Sequence, residues 1–417
     1  MAETPEEKLR EDAVAMAEGQ APEASVRTKA ELHPEWIGCL IGVLVVFVPM
    51  GYVMGANYMI SSLMQTAFAL LNDTAFYIMA IAVVCGALAS LFTEFGVTAM
   101  LNKVLSPLMR PLFGLPGAAT VGGIACFMSD NPTIATMMMD KNYARYFKKY
   151  ESVGLVNFGT TFGIGMIVVA TMLASSGMGG VDTFAATGIG SIAAILGGAI
   201  STRTLLIFGA RAWGKDEPYV PGDYVESKGS TKGKTRHIRK GNAAMRAMDA
   251  LLEGGADGVQ LGLTIIPGIL IFCTLVMMLL KTAPVDAETG AVLAYSGAAY
   301  EGVGLLPWLM NQISFILQPL FGFQNMENVA VPLTALGSAS ASMAQVPVLL
   351  EAGTMSAHEV AVVTAMCFCW SGFVDTHVGI MDKLGTRPFV GWALLTHFIG
   401  GIAAGVIANL LMTVLGM

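Results

Sequence analysis

The chain has 417 residues, of which 54% are hydrophobic and 13% charged, with 48 glycines and a formal net charge of -7. Soluble domains carry about one quarter charged residues, so this balance argues against a soluble globular protein. The acids gather in the first 35 residues and in a few loops, which leaves no nucleic-acid footprint.

Residues 1–34 are rich in mixed charge and lack the basic-then-apolar order of a cleaved signal peptide, so they read as a soluble cytoplasmic tail. Apolar segments follow at 36–56, 74–95, 153–175, 182–209, 260–281, 360–382 and 389–416. Each approaches the ~20 residues a helix needs to cross the hydrocarbon core. Residues 58–71 are apolar but short before Asn72 and Asp73, which predicts a separate helix lying at the membrane face. All six cysteines fall inside apolar segments, and the Cys367/Cys369 pair has no second pair at zinc-site spacing, so the cysteines read as packing residues.

Two further apolar regions, 116–139 and 324–350, are interrupted near their middles and read as re-entrant hairpins. In the first, Ser129-Asp130-Asn131-Pro132 breaks the helix, because proline removes a donor and Asp and Asn favour turns. In the second, Gly337 to Ser342 is flexible and rich in hydroxyls. Broken backbone at membrane depth is tolerated only inside protein or against a wet cavity.

Basic residues set the orientation. Residues 210–258 hold the densest Lys/Arg cluster, including Arg211, Lys215, Arg239 and Arg246, and are predicted to be cytoplasmic; 282–303 carries acids and no Lys or Arg and falls outside. The lead-in to the first hairpin, Pro111-Leu112-Phe113-Gly114, recurs as Pro319-Leu320-Phe321-Gly322 before the second. A glycine-interrupted span follows each hairpin, and the odd number of spans between them predicts an inverted repeat. The expected fold is therefore an all-α integral membrane protein with about seven transmembrane helices plus two re-entrant helical hairpins. Its parts are a tail (1–34), N-terminal membrane helices (35–95), a first repeat (96–209), a basic loop (210–258) and a second repeat with its preceding helix (259–417).

The Pro-Leu-Phe-Gly lead-in, the Ser-Asp-Asn-Pro tip and the Asn157 to Gly165 segment resemble the nucleoside-recognition Gate-domain superfamily over roughly residues 75–415. That superfamily includes uncharacterised bacterial membrane proteins, the membrane part of ferrous-iron transporters and concentrative nucleoside transporters. The chain has neither the Gln-Thr-Glu type of tip of nucleoside carriers nor a GTPase domain. The resemblance implies substrate contacts from Ser129, Asp130, Asn131, Thr133, Asn157, Thr160, Thr161, Ser338 and Ser340, and a site role for Asp375 and Thr376 in the second broken span.

An ionisable group within a span is costly unless it meets protein or water, so Asp375 is a candidate for coupling to a cation, with Thr376 and His377 beside it. A carboxylate satisfied by helix ends is the competing reading. Asp130 suits a helix cap as well as a ligand contact, His377 suits packing as well as proton sharing, and the glycines around Asn157 suit close helix packing as well as an unwound site. Enzyme signatures fail: His358-Glu359 lacks the second zinc histidine, so no catalytic residue, metal site or cofactor is expected.

The reading is a secondary transporter of a small polar solute, with a nucleoside-like solute as one candidate, coupled to Na⁺ or H⁺ and with its site between the two hairpin tips at the membrane midplane, in the bacterial inner membrane with a cytoplasmic N-terminus. Its partners would be the solute, lipid and further copies of itself in a homo-oligomer. The alternatives are a non-transporting scaffold that holds a partner through its basic loop, and a metal-ion permease.

Overall fold

A computed structural model describes residues 34–139, 141–225, 238–284 and 292–417; the side chains of Lys141, Asn142, Ile265 and Asp375 lie outside this description. Two compact units divide the chain, residues 1–52 and 53–417. Helix α1 (Glu35–Met54) accounts for the described part of the first, with a mean hydropathy of 2.4. All that follows concerns the second unit.

The described residues are mostly helical, joined by turns and irregular segments, with an isolated bridge between Lys148 and Pro218. Among the described residues six helices, counting α1 of the first unit, are long and apolar enough to cross a membrane, and the chain is an all-α membrane protein. Helix α2 (Ala56–Glu94) corrects the expectation of a separate surface helix at 58–71: that segment continues into the next span. The join at Leu70–Ala75 is a π-helical turn containing Asn72 and Asp73. No proline or glycine interrupts the helix there, and Asn72 bonds back to the carbonyl of Phe68, so its polarity is satisfied within the helix.

Helix α3 (Val97–Phe113) ends at Gly114, whose φ of 75° supplies the left-handed cap that a helix C-terminus favours. The first interrupted region is α4 (Ala119–Met128), a tip at Ser129–Pro132, and α5 (Thr133–Met139). The span after it breaks between α6 (Lys149–Phe162) and α7 (Gly165–Ala174), where Ile164 takes a φ of 47°, an uncommon conformation for a β-branched residue. Helix α8 (Phe184–Trp213) is continuous.

Helix α9 (Ala243–Leu280) starts within the segment read as basic loop and contains a second π-helical turn at Ile269–Cys273. Residues 226–237 of that loop, like the tail at 1–33, lie outside the described residues. Helices α10 (Leu305–Gln312) and α11 (Ser314–Phe321) repeat the lead-in and stop at Gly322, with φ 72°. The second interrupted region comprises α12 (Ala330–Ala335), a tip at Leu336–Ser338, α13 (Ala339–Met343) and α14 (Gln345–Glu351). The apolar run at 360–382 is not one span: it breaks at Trp370–Phe373 between α15 (Ala357–Cys369) and α16 (Val374–Lys383). Helix α17 (Val390–Leu415) closes the chain.

Glycine decides which helices meet. A Cβ on Gly254, Gly258 or Gly262 of α9 would collide with Gly86, Ala82 or Met79 of α2, so the paired residue numbers rise in one helix as they fall in the other, the register of an antiparallel pair. Gly197 and Ser201 of α8 meet Gly400 and Ala404 of α17 in the same opposed order.

The two Pro-Leu-Phe-Gly turns are braced alike. Glu151, in the first turn of α6, accepts hydrogen bonds from the Lys148 amide at 2.8 Å and the Arg110 guanidinium at 2.5 Å. Glu359, in the first turn of α15, accepts from the Ser356 amide and hydroxyl and from the amides of Gln324 and Asn325, all at 2.8–3.0 Å. Each carboxylate thus satisfies orphan N–H groups at a helix start and ties that helix to the Pro-Leu-Phe-Gly turn. Arg203 of α8 donates to the carbonyls of Arg110, Pro111 and Leu112; Asn409 of α17 donates to those of Pro319 and Leu320.

Candidate functional site

The first tip reaches across to both broken spans through one residue. Asn131 is buried; its Nδ2 donates to the Ser371 carbonyl at 3.2 Å and its Oδ1 accepts from the Ser371 hydroxyl at 3.0 Å. The same hydroxyl lies 2.5 Å from the carbonyl of Thr160. A Cβ on Gly163 would collide with the Asn131 amide, and one on Gly372 would lie 2.7 Å from its Nδ2. Glycine at both breaks is what lets the amide sit between them, and Asp130 accepts from the Asn131 amide N–H at 2.7 Å, which fixes the tip.

Ser129 is exposed at the same tip and shares a 2.8 Å hydrogen bond with Thr133. It opens on a cavity of about 650 Å³, between the α2–α9 pair and the first interrupted region. The other walls come from Ser90, Thr93 and Glu94 of α2, Met166 and Ile167 of α7, and Glu253, Asp257 and Leu261 of α9, with Arg239 beside them. This volume lies within the 300–1,000 Å³ usual for small-molecule sites. Glu94 is buried and paired with Arg239 at 2.9 Å and Arg246 at 2.8 Å, and Arg239 also bonds Glu253, so ion pairs close one side of the cavity. A second cavity of about 570 Å³ shares Thr93, Met128 and Ser129.

Asn157 forms a second buried centre. Its Nδ2 donates to Ser201 Oγ at 2.7 Å, Thr396 Oγ1 at 2.8 Å and the Ala393 carbonyl at 3.3 Å, and its Oδ1 lies 3.2 Å from His377 Nε2. The hydroxyls of Thr160 and Thr161 instead bond carbonyls of their own helix, at Val156 and Asn157. At the second tip, Ser338 caps the Ala341 amide and lies 3.3 Å from Ser340. A Cβ on Gly268 of α9 would come within 3.1 Å of Ser338, so α9 runs past both tips. Thr376 lies against Gly372 at the second break, while Asp375 has its backbone in α16 and its side chain outside the described residues.

The structure therefore joins Asn131, Thr160 and the second break in one network, and Asn157 with His377 in another. Ser338 and Ser340 stand apart from both, on the α9 side. The sequence does not single out Ser201, Ser371 or Thr396, which bond Asn157 and Asn131, nor two ionisable residues nearby. Asp257 was hidden in a run taken as loop, although Asp249, Glu253 and Asp257 recur every four residues, a helical spacing that could have exposed it. His397 is a lone histidine in an apolar run, and nothing in the sequence pairs it with His377, whose ring centroid is 4.8 Å away. Cys367 and Cys369 are buried, and among the described residues no group of three His, Cys, Asp or Glu could hold a metal ion.

No family model and no curated protein matches the sequence. Solved structures do. The chain is similar to CNTnw, a concentrative nucleoside transporter, in an inward-facing substrate-bound state, at 14% identity and a TM-score of 0.51 over 98% of this chain and 87% of that one. An outward-facing variant of CNTnw aligns at 13% identity and a TM-score of 0.49, over 99% and 87%. An intermediate state aligns at 16% identity and 0.49, over 97% of each. The first of these shows that the fold is shared.

Proposed function

We propose that the chain is a secondary transporter of a small polar solute of nucleoside-like size, which alternates access to a site beside the first hairpin tip. The observation that carries this reading is the Asn131 bridge. A helix-breaking tip is held against two other broken helices by side-chain and carbonyl contacts, next to a cavity large enough for such a solute. A structure built only for packing has no need of three helix breaks in one place, since each exposes peptide groups that continuous helix would satisfy. The likeness in fold to a nucleoside transporter supports the same reading.

In this scheme Ser129, Asp130, Asn131 and Thr133 present the first tip to the solute, and Ser338 and Ser340 present the second. Asn157, Thr160 and Thr161 form the first broken span, and Asp375, Thr376 and His377 couple solute movement to Na⁺ or H⁺. The hairpins enter from opposite faces of the inner membrane, with the basic loop cytoplasmic, and the protein works as a homo-oligomer.

Proteoliposomes loaded on one side with labelled uridine or adenosine test the proposal. Flux should depend on a Na⁺ or pH gradient, and unlabelled solute should compete. A binding nucleoside should also raise the melting temperature of the purified protein. No flux under either gradient, together with no thermal shift from nucleosides, bases or amino acids, would leave a scaffold as the better account.

A further inference from the structure

We propose that His377 is a proton-binding site, and that the proton it holds ties the two repeats together through Asn157. The functional meaning rests on the transporter reading above; the chemistry does not.

The argument begins with the Asn157 amide. Its Nδ2 faces the Ala393 carbonyl, which can only accept, and the Thr396 hydroxyl, whose own proton goes to the Trp392 carbonyl at 2.8 Å. The amide NH₂ is therefore committed to that side, and the oxygen Oδ1 faces His377 Nε2 at 3.2 Å. On the other edge of the imidazole, Nδ1 lies 2.6 Å from the Phe373 carbonyl. Both ring nitrogens face oxygens that accept. A neutral imidazole has one N–H and would set a lone pair against a lone pair at one of these contacts; the imidazolium donates at both.

The surroundings limit the site to one proton. His397 of α17 is buried with its ring centroid 4.8 Å from that of His377, and a second positive charge at that spacing in a buried region is disfavoured. Its Nδ1 faces the Ser201 hydroxyl at 3.4 Å, and its Nε2 is buried with no hydrogen-bond partner among the described residues. Cys369 ends α15 nearby. Helix α5 has no titratable side chain among its described residues, and the Glu151 carboxylate of α6 is held by Arg110 at the start of that helix. At the far end of α16, Asp382 pairs with Arg387, while the Asp375 side chain lies outside the described residues.

Asn157 belongs to the first repeat and His377 to the second, so the Nε2 proton sits at a contact between them. Taking up H⁺ makes one N–H bond and closes the α6–α16 contact. Releasing H⁺ to the other aqueous side breaks that bond and leaves two acceptors face to face, which opens it. A pH gradient would thereby bias the two arrangements, and solute binding would bias proton affinity in return.

The test is histidine-selective ¹³C/¹⁵N NMR on the purified full chain, with His377→Gln assigning the resonance. At about pH 7 the His377 signal should be doubly protonated and should lose its Nε2 proton as the pH is raised, while His397 stays neutral. Asn157→Asp places a carboxylate against the ring and should move that transition up by roughly one pH unit or more. This variant also serves if His377→Gln does not fold. A neutral His377 at about pH 7, or a midpoint unmoved by Asn157→Asp, overturns the proposal. In proteoliposomes, an inward pH gradient should accelerate uridine uptake by about tenfold, and His377→Gln should remove that dependence. If uridine is carried but its rate ignores the pH gradient, the proton coupling is wrong. If nothing is carried while the NMR transition is present, the transporter reading fails and the proton site stands.

Discussion

The two helix-breaking tips, Ser129–Pro132 and Leu336–Ser338, differ more than the scaffolds that hold them. Pro111 and Pro319, Gly114 and Gly322, Glu151 and Glu359, and Asp130 and Ser338 are all separated by the same distance along the chain. The braces at the first three of these pairs do the same work in both halves. The tips do not. The first carries a carboxylate and an amide and reaches across to both broken spans, whereas the second carries hydroxyls and caps its own helix. The contacts that satisfy helix ends match between the two halves and the tips do not, as expected if the braces serve folding and the tips serve a ligand that is not symmetric.

The largest test of that contrast is Asn131→Leu, which strips two hydrogen bonds from a buried contact and forces a branched side chain against Gly163 and Gly372. It should cost about 3–4 kcal/mol and abolish uptake. The matching residue of the second tip is buried Ala339, and Ala339→Gly should cost only about 1 kcal/mol. Comparable losses from the two would erase the contrast. Next come the braces. Glu359→Ala leaves three backbone N–H groups without their acceptor and should cost about 3 kcal/mol. Glu151→Ala frees the half-exposed Arg110 to meet water and should cost about 1–2 kcal/mol. Denaturation in detergent measures both, and a larger loss at Glu151 would reverse the ranking. Removing the carbonyl caps, Arg203→Ala or Asn409→Ala, should cost about 1 kcal/mol each, with equal shifts expected if the roles are equivalent.

The smallest effect concerns the carboxylates ahead of each lead-in. Glu94 is neutralised by two arginines, but Glu301 is held by neutral groups: the Ser296 hydroxyl and amide, the Gly297 amide and the Ser62 hydroxyl. Burial acts to raise the Glu301 pKa, yet these donors together hold it below the ordinary value of 4.5. A depressed carboxylate pKa contributes stability that is full above 4.5 and is lost as the pH falls through the lower folded-state value. The melting temperature should therefore drop by a few degrees on acidification below 4.5, and Glu301→Gln should flatten that part of the curve; an unchanged slope would mean that the loop is held by other contacts.

Much of this organisation is legible in the sequence because membrane helices announce themselves by length and apolarity, and because Pro, Gly, Asp and Asn mark the breaks. The Pro-Leu-Phe-Gly repeat located both lead-ins. What escaped has a physical reason in each case. The π-helical join at Leu70–Ala75 holds Asn72 and Asp73, which disfavour helix interiors and so read as a stop, but the helix carries through them, with Asn72 bonding back to the Phe68 carbonyl. The interruption of the second span is marked by Gly372, but its partners Asn131 and Thr160 lie on elements more than 200 residues away along the chain, which the sequence does not bring together. The His377–His397 contact joins two helices that no local spacing relates.

The glycine seam between α2 and α9 has a mechanical consequence. With backbone set against backbone at Gly86, Gly254 and Gly258, no side chain lies between the two rods to act as a lubricant or to swing aside. They form a stiff post, so any passage for a solute must be made by the softer, interrupted helices rocking beside it, and a single methyl group added to the seam would prise the post apart before it touched the solute.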